Sequence, residues 1–356
     1  MNYNLSAIRE DCSHLVERID TKKLKGTTVL VTGANGLIGG FLCDFLCFLN
    51  DHCGYGMNLV FTSKSEKENA QRISHLVARE DVTYFSWDCS VSLESLPLSE
   101  DVNYLFFCSG YGQPRKFLSD KIRTMLVNIV GIESLLKVVA RQEKKCHVLF
   151  LSTSEIYGDV PESAVPTSED YKGVCDVENN RACYILAKAT AEVVCQEYFA
   201  SNKVNGKVAR VALVYGPGSF RDDARVMQDF ILKAHEHKEI QMMDEGQSLR
   251  NYLYISDCAE ILINCLLHGT QSVYNVGGDS ETISIYNLAK KIAANFEVPV
   301  RKGKVAKEFI KNAPKRVGLS MSRYRKEFPL YGAHITGLKK GIENVLRWYN
   351  FKNFNS

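Results

Sequence analysis

The chain has 356 residues, 45% of them hydrophobic, with 44 basic and 41 acidic side chains and a formal charge of +3. That length allows one large or two modest domains with a sizeable core, and so small a basic excess gives no ground for nucleic-acid binding. No window reaches the ~18 consecutive apolar residues of a membrane span, and the charged N-terminus lacks an apolar signal core, so a cytoplasmic protein without membrane contact is expected.

Residues 1–25 mix charges with Leu5, Ile8, Leu15, Val16 and Ile19, which predicts an amphipathic helical extension packed on the outside of the domain or on another subunit. The stretch Thr28 to Gly40 follows. Its run Val29–Val31 reads as a buried parallel strand, and Leu37–Leu49 as an apolar helix. Between them Gly33 permits a tight turn, Gly36 lets backbone N–H groups approach a pyrophosphate, and Gly39 lets helix and strand pack closely. The diphosphate would rest on the positive end of that helix.

The 12 cysteines include Cys43 and Cys47 at helical spacing, followed by His52 and Cys53. Either they are metal ligands or they are small core residues. An apolar helix without a Cys-x-x-Cys pair favours the second, so no metal and reduced thiols are expected.

Further strands are predicted at Asn58–Thr62, Val82–Phe85, Asn103–Cys108, His147–Leu151 and Lys207–Val214, with helices at Lys121–Val139 and 183–200. Strands alternating with helices predict a doubly wound parallel sheet. Beyond Tyr215 the texture changes. A Gly216-Pro217-Gly218 loop leads to a helix at Arg225–His235 and a short strand at Ile240–Met243. Another helix, Asp257–Leu267, is read with Ser256 or Asp257 as its N-cap. Then come a strand at Val273–Val276, a helix capped by Ser284 that runs to Phe296, and an amphipathic tail at Leu338–Trp348.

The chemistry centres on Tyr184 and Lys188, whose spacing of four puts both on one helix face. A nearby ammonium is expected to lower the tyrosine pKa and make it a general base for a sugar or alcohol hydroxyl. Thr153, at the end of a strand, precedes Tyr184 by 31 residues.

Taken together, Thr32-Gly33-x-x-Gly36-x-x-Gly39, Asp88, Asn128, Thr153, Tyr157-Gly158, Tyr184/Lys188, Tyr215-Gly216-Pro217, Arg225 and residues 246–257 carry a family likeness. From about Gly26 onward the chain resembles an extended short-chain dehydrogenase/reductase acting on nucleotide sugars. Ser152-Thr153-Ser154-Glu155-Ile156-Tyr157-Gly158 is similar to the corresponding piece of UDP-glucuronate decarboxylases.

The resemblance implies an α/β fold: a Rossmann-type domain over 26–215 and a smaller, interleaved C-terminal α/β substrate lobe over 216–356. It implies a bound NAD contacted by Gly33, Asn35, Gly36, Leu37, Ile38, Gly39, Ser63, Lys64, Asp88, Cys89, Ser109, Tyr184 and Lys188. It further implies a catalytic set of Thr153, Glu155, Tyr184 and Lys188, diphosphate contacts from Arg225 and Arg250, and a homodimer formed through two helices of each subunit. Glu155 is either a carboxylate capping a turn or a group beside C5 of the sugar.

Three departures stand out. Ser63-Lys64 replaces the family's ribose-binding aspartate and leaves NADP open. The run 109–117 differs from the expected small residues, and Ser320 stands where relatives carry an aspartate. The expected reaction is oxidation at C4 followed by loss of the C5 carboxyl. The alternatives are 4-epimerisation, 4,6-dehydration, NADPH-dependent 4-ketoreduction, or a non-catalytic cofactor-binding scaffold.

Overall fold

The computed structural model describes residues 4–98, 100–278, 282–303, 315–331 and 334–351; residues 1–3 of the N-terminal extension lie outside these. Seven strands form the main sheet: β1 (Thr28–Thr32), β2 (Asn58–Ser63), β3 (Val82–Ser86), β4 (Tyr104–Phe107), β5 (His147–Thr153), β6 (Asn205–Val211) and the strand Val273–Val276. Their order across the sheet is β3, β2, β1, β4, β5, β6 and Val273–Val276, and every pairing is parallel. Every residue of β1 is buried, as a central parallel strand covered on both faces requires. The strand order reverses between β1 and β4, so a crevice opens beyond their C-terminal ends.

Helices cover both faces. Val29, Val31 and Phe61 pack with α2 (Leu37–Cys53), with α1 (Ser6–Arg18), and with a later helix, Ile255–His268. Leu30, Val60, Leu105 and Phe107 pack against α4 (Lys121–Val139) and α5 (Ala182–Ala200), while the short α3 (Pro114–Ser119) precedes α4. Full burial of each such side chain is worth about 1.5–3 kcal/mol.

Cys43 and Cys47 are buried in the first of these cores, whereas Cys53 is exposed and the His52 ring stacks on Phe48 at 4.0 Å. Among the described residues no group of three His, Cys, Asp or Glu is placed to hold a metal ion, and no helix is long and apolar enough to cross a membrane.

The second half departs from expectation in two places. The predicted strand Lys207–Val214 breaks at Leu213, whose φ of +50° turns the chain out of the sheet. Val214–Tyr215 then pairs with Leu253–Tyr254. The helix at 257 starts earlier, at Ile255, so Ser256 and Asp257 lie within its first turn. Asp257 is buried there and accepts from the Thr336 backbone N–H at 2.8 Å instead of capping its own helix. Ser284 does cap its helix, accepting from Asn287 N–H at 3.1 Å. Leu249–Arg250 is the middle strand of a small sheet, between Ile283–Ser284 and Arg316–Val317.

The N-terminal helix is amphipathic and packs on the other helices of this chain. Its apolar face (Ala7, Ile8, Cys12, Leu15) is buried among α2, Ile255–His268 and Leu338–Trp348. With it goes Asp11, which accepts from the Tyr254 hydroxyl at 2.6 Å. Arg18 is the cation placed against Asp257 (3.4 Å) and Glu260 (3.8 Å). Burial pushes Asp11 and Glu260 up to about 7 and Asp257 to about 6, against the pull of Tyr254, Arg18 and Thr336.

A carboxyl raised on folding contributes stability that is complete below its unfolded pKa, near 4, and is lost as pH rises through its folded value. Asp11→Asn should therefore raise the thermal midpoint relative to wild type more at pH 8 than at pH 5. Calorimetry at the two pH values checks this, and an equal difference at both would contradict it.

Candidate active site

The glycine turn follows directly from β1. Gly33 has φ +66°, and a Cβ there would lie 2.7 Å from the Cys108 carbonyl oxygen at the end of β4. A Cβ at Gly39 would lie 2.4 Å from the Gly33 carbonyl. Gly36 is the N-cap of α2 and offers no side-chain cap, so N–H groups of the first turn, at Leu37 and Ile38, are left for an anion. This donor set fits the diphosphate of a dinucleotide.

Asn35 serves differently from expectation. Its side chain accepts from Arg72 N–H at 2.8 Å and donates to Ser65 Oγ at 3.3 Å, anchoring the loop to the segment after β2.

Beside this loop lie the ends of β2 and β3. Ser63 Oγ meets the Tyr84 hydroxyl at 2.8 Å and accepts from Ser65 N–H, while Lys64 is exposed. Asp88 accepts from the Ser90 N–H and hydroxyl and pairs with Arg123. Partial burial pulls its carboxyl up, but Ser90, Arg123 and Lys64 outweigh this and hold it below the usual range. Cys89 is buried behind it against Gly131, its thiol pushed up to about 12 by burial. Ser109 continues from β4 and donates its N–H to Thr32 Oγ1 at 3.3 Å.

On the other side of the crevice, β5 ends at Thr153 and α5 presents Tyr184 and Lys188. The Thr153 hydroxyl is close enough to the Tyr184 phenol to act against its rise in pKa, and it accepts from Glu155 N–H at 3.2 Å. Lys188 donates to the Leu151 carbonyl at 2.6 Å, its Nζ 4.8 Å from the centre of the Phe150 ring. The Asn128 side-chain oxygen Oδ1 and Lys188 Nζ both flank Gly110, where a Cβ would lie 3.1 and 3.3 Å from them.

Burial sets the charges here, and it corrects the sequence-based expectation for Tyr184. Its phenol is pushed up to about 12 by burial and by Glu155, against Thr153 and Arg181. Lys188 is itself pulled down to about 8 by the same withdrawal from water, and its ammonium is directed at a main-chain carbonyl.

Two residues that sequence reasoning gave no role complete the site. Arg181, one turn before Tyr184, grips both oxygens of Glu155, with Nε at 2.8 Å from Oε2. Phe117 stacks on the Tyr184 ring at 4.7 Å with planes 3° apart, and the Arg181 guanidinium lies 4.9 Å from the Phe117 ring centre. The signals for them were present: an arginine three residues before Tyr184, and the unusual run 109–117.

Arg250 reaches this group from the small sheet. Burial pulls its pKa down, and Tyr252, Arg181 and Glu155 are close enough to act on it electrostatically. Its Nη1 donates to the Leu249 carbonyl at 2.8 Å. Arg225 is held on its own loop instead, where Nε bonds both oxygens of Asp223 at 3.0 and 2.9 Å.

The comparisons with known proteins bear on the family and the fold. The chain is 28% identical over 264 residues to UDP-glucuronic acid decarboxylase 1 of Xenopus tropicalis, covering 74% of this chain and 59% of that protein. It is 28% identical over 275 residues to UDP-glucuronic acid decarboxylase 2 of Arabidopsis thaliana, covering 77% and 58%. This chain thus spans less than two thirds of the length of these relatives. Among solved structures, UDP-glucuronic acid 4-epimerase from Bacillus cereus, in complex with UDP-glucuronic acid and NAD, shares the fold with a TM-score of 0.72 at 19% identity, over 91% of this chain and 99% of that one. The NAD complex of dTDP-glucose 4,6-dehydratase from Bacillus anthracis has a TM-score of 0.72 at 16% identity, over 91% and 96%. The model of the NAD dependent epimerase/dehydratase family matches residues 29–277, and the chain belongs to that family.

Proposed function

We propose that this chain modifies a nucleoside-diphosphate sugar through transient oxidation at C4, and that its substrate is UDP-glucuronate, which loses its carboxyl as carbon dioxide. The observation that carries the reading is the Thr153–Tyr184–Lys188 set facing a glycine-walled diphosphate loop across one crevice. The likeness to UDP-glucuronic acid decarboxylases supports UDP-glucuronate as the substrate.

Gly33, Gly36, Leu37, Ile38 and Gly39 would hold the diphosphate of NAD, Ser63, Lys64, Asp88 and Cys89 its adenosine, and Ser109, Tyr184 and Lys188 its nicotinamide side. When bound, the nicotinamide supplies the electron acceptor and a formal positive charge. Tyr184 first gives up its own proton to solvent, and as the phenolate it takes the proton of the C4 hydroxyl while Thr153 holds that oxygen. A buried phenol near 12 yields its own proton only with positive charge nearby, and Lys188 lies one helical turn away.

With C4 at the ketone level, the C5 carboxyl is a β-keto acid. Its C–C bond breaks, the electron pair moves toward the C4 oxygen at Thr153, and carbon dioxide leaves. Glu155, fixed by the Arg181 fork, orients the sugar at C5 and manages the proton returned there. Arg250, a half-buried cation bonded to a main-chain carbonyl, is suited to a substrate phosphate, with Arg225 at the far end of the same anion. The chain is further proposed to pair with a second copy through α4 and α5, which expose Ile122, Leu126 and Val193.

Incubation with UDP-glucuronate, read by mass, should show a product lighter by about 44 mass units. A product of unchanged mass with inverted C4 would replace decarboxylation with epimerisation. Tyr184→Phe should lower the rate by about 10²–10⁴, and unimpaired turnover would remove the catalytic assignment.

The Lys188 ammonium, the form present below its pKa of about 8, is lost as pH rises through that value. The rate should therefore fall on an alkaline limb near pH 8, and Lys188→Arg should move that limb upward. A wild-type profile flat to about pH 10 would contradict the role of Lys188.

A further inference from the structure

Arg72 lies outside the set described so far, in a short turn after β2, yet it is among the largest fully buried side chains of the molecule. Its side chain is 0% exposed. Nη2 donates to Asp44 Oδ2 on α2 at 2.6 Å, and the other oxygen of Asp44 meets His75 Nε2 at 2.6 Å. The backbone N–H of Arg72 holds Asn35 of the glycine loop.

The guanidinium occupies a slot with two glycine walls. A Cβ at Gly40, in the first turn of α2, would lie 2.7 Å from Arg72 Cγ and 3.0 Å from Nε. A Cβ at Gly218 would lie 2.6 Å from Nε. The third wall is Trp348, with its ring centre 5.5 Å from Cζ and its own N–H bonded to the Ser219 carbonyl at 3.1 Å. Arg72 Nε and Nη1 have no hydrogen-bond partner among the described residues.

This arrangement is expensive for mere packing. A buried ion pair with N–H groups left over is often no more stable than apolar side chains of the same volume. What the arginine does that an apolar residue could not is fix three separate pieces at defined directions. These are the first turn of α2 and its glycine loop, the loop Gly216–Ser219, and the helix Leu338–Trp348. The second of these runs on to Asp223 and Arg225 on the substrate side.

We infer that Arg72 is a positioning residue, clamped by Asp44, that sets the glycine loop against the Gly216–Ser219 loop and so fixes the distance between the cofactor and the sugar nucleotide. The inference rests on reading Gly33–Gly39 as a dinucleotide loop. Misplacement of reacting groups by about 1 Å can cost on the order of 10²-fold in rate, which leaves ample room for a residue that touches neither ligand to matter.

The test uses Arg72→Met, which keeps volume and loses the fork, Arg72→Lys, which keeps the charge, and Asp44→Asn, which releases the anchor. Binding of NAD is measured by calorimetric titration of each folded, cofactor-stripped protein, and turnover at saturating cofactor and sugar nucleotide is measured separately.

Arg72→Met should weaken NAD binding about tenfold and lower saturated turnover by about 10–100-fold. Asp44→Asn should reproduce part of both losses, and Arg72→Lys should recover stability better than turnover. If Arg72→Met does not fold, Asp44→Asn alone decides. Unchanged NAD affinity and turnover in folded variants, with only a lowered thermal midpoint, would overturn the inference and leave the proposed function intact. Failure of the wild type to bind NAD would overturn both.

Discussion

Withdrawal of Lys188 from water governs the behaviour of the groups around it. The ammonium sits at the end of a buried helix face against the Phe150 ring and is satisfied by one main-chain carbonyl, from Leu151. Its descent from the usual lysine range to about 8 corresponds to on the order of 3 kcal/mol in favour of the neutral amine. The same dry environment keeps Tyr184 a phenol and gives each nearby charge a longer reach than it would have in water. The site is thus poised by burial, which raises the Tyr184 phenol and lowers the Lys188 ammonium.

The sheet makes that burial possible. Because β1 and β4 are neighbours whose following connections leave in opposite directions, their C-terminal ends frame a crevice without any loop having to fold back over it. Gly33 packs against the end of β4, so the cofactor loop and Ser109 share one rim. Across β5 the second rim is just as firmly tied. Ser152 donates to Glu192, and Glu192 is held by Arg210 at 2.8 Å, so Thr153 is carried on a strand locked to α5. Thr153, Tyr184 and Lys188 are therefore placed by rigid elements, as precise proton transfer needs.

Much of this was legible in the sequence, for a physical reason. Glycine spacing reports backbone geometry, and Tyr-x-x-x-Lys reports one face of a helix; both are local, so the residues themselves carry the information. What escaped was set by partners distant in sequence. Arg181 could not be assigned to Glu155, 26 residues earlier, nor Phe117 to Tyr184, 67 residues later, until the fold brought them together. The phenol of Tyr184 was misjudged for the same cause, since spacing shows that Lys188 is near but not that burial raises the phenol or that the ammonium is directed at the Leu151 carbonyl. Leu213 concealed a turn because a leucine at positive φ has no local signature. The buried start of Ile255–His268 likewise misled, as Asp257 looks like a cap and in fact anchors Thr336.

The balance of charge in the crevice supplies the remaining step. Arg72 is matched by Asp44, Arg181 by Glu155, Arg210 by Glu192 and Arg225 by Asp223. Lys188 and Arg250 are held by main-chain carbonyls, which orient a cation without neutralising it. Lys188 is a buried cation kept at a cost that folding alone does not recover, and Arg250 is half-buried. In the proposed reading an anionic ligand entering between them gains on both. In that reading, bonding to main-chain carbonyls is what leaves Lys188 and Arg250 able to meet an anionic ligand.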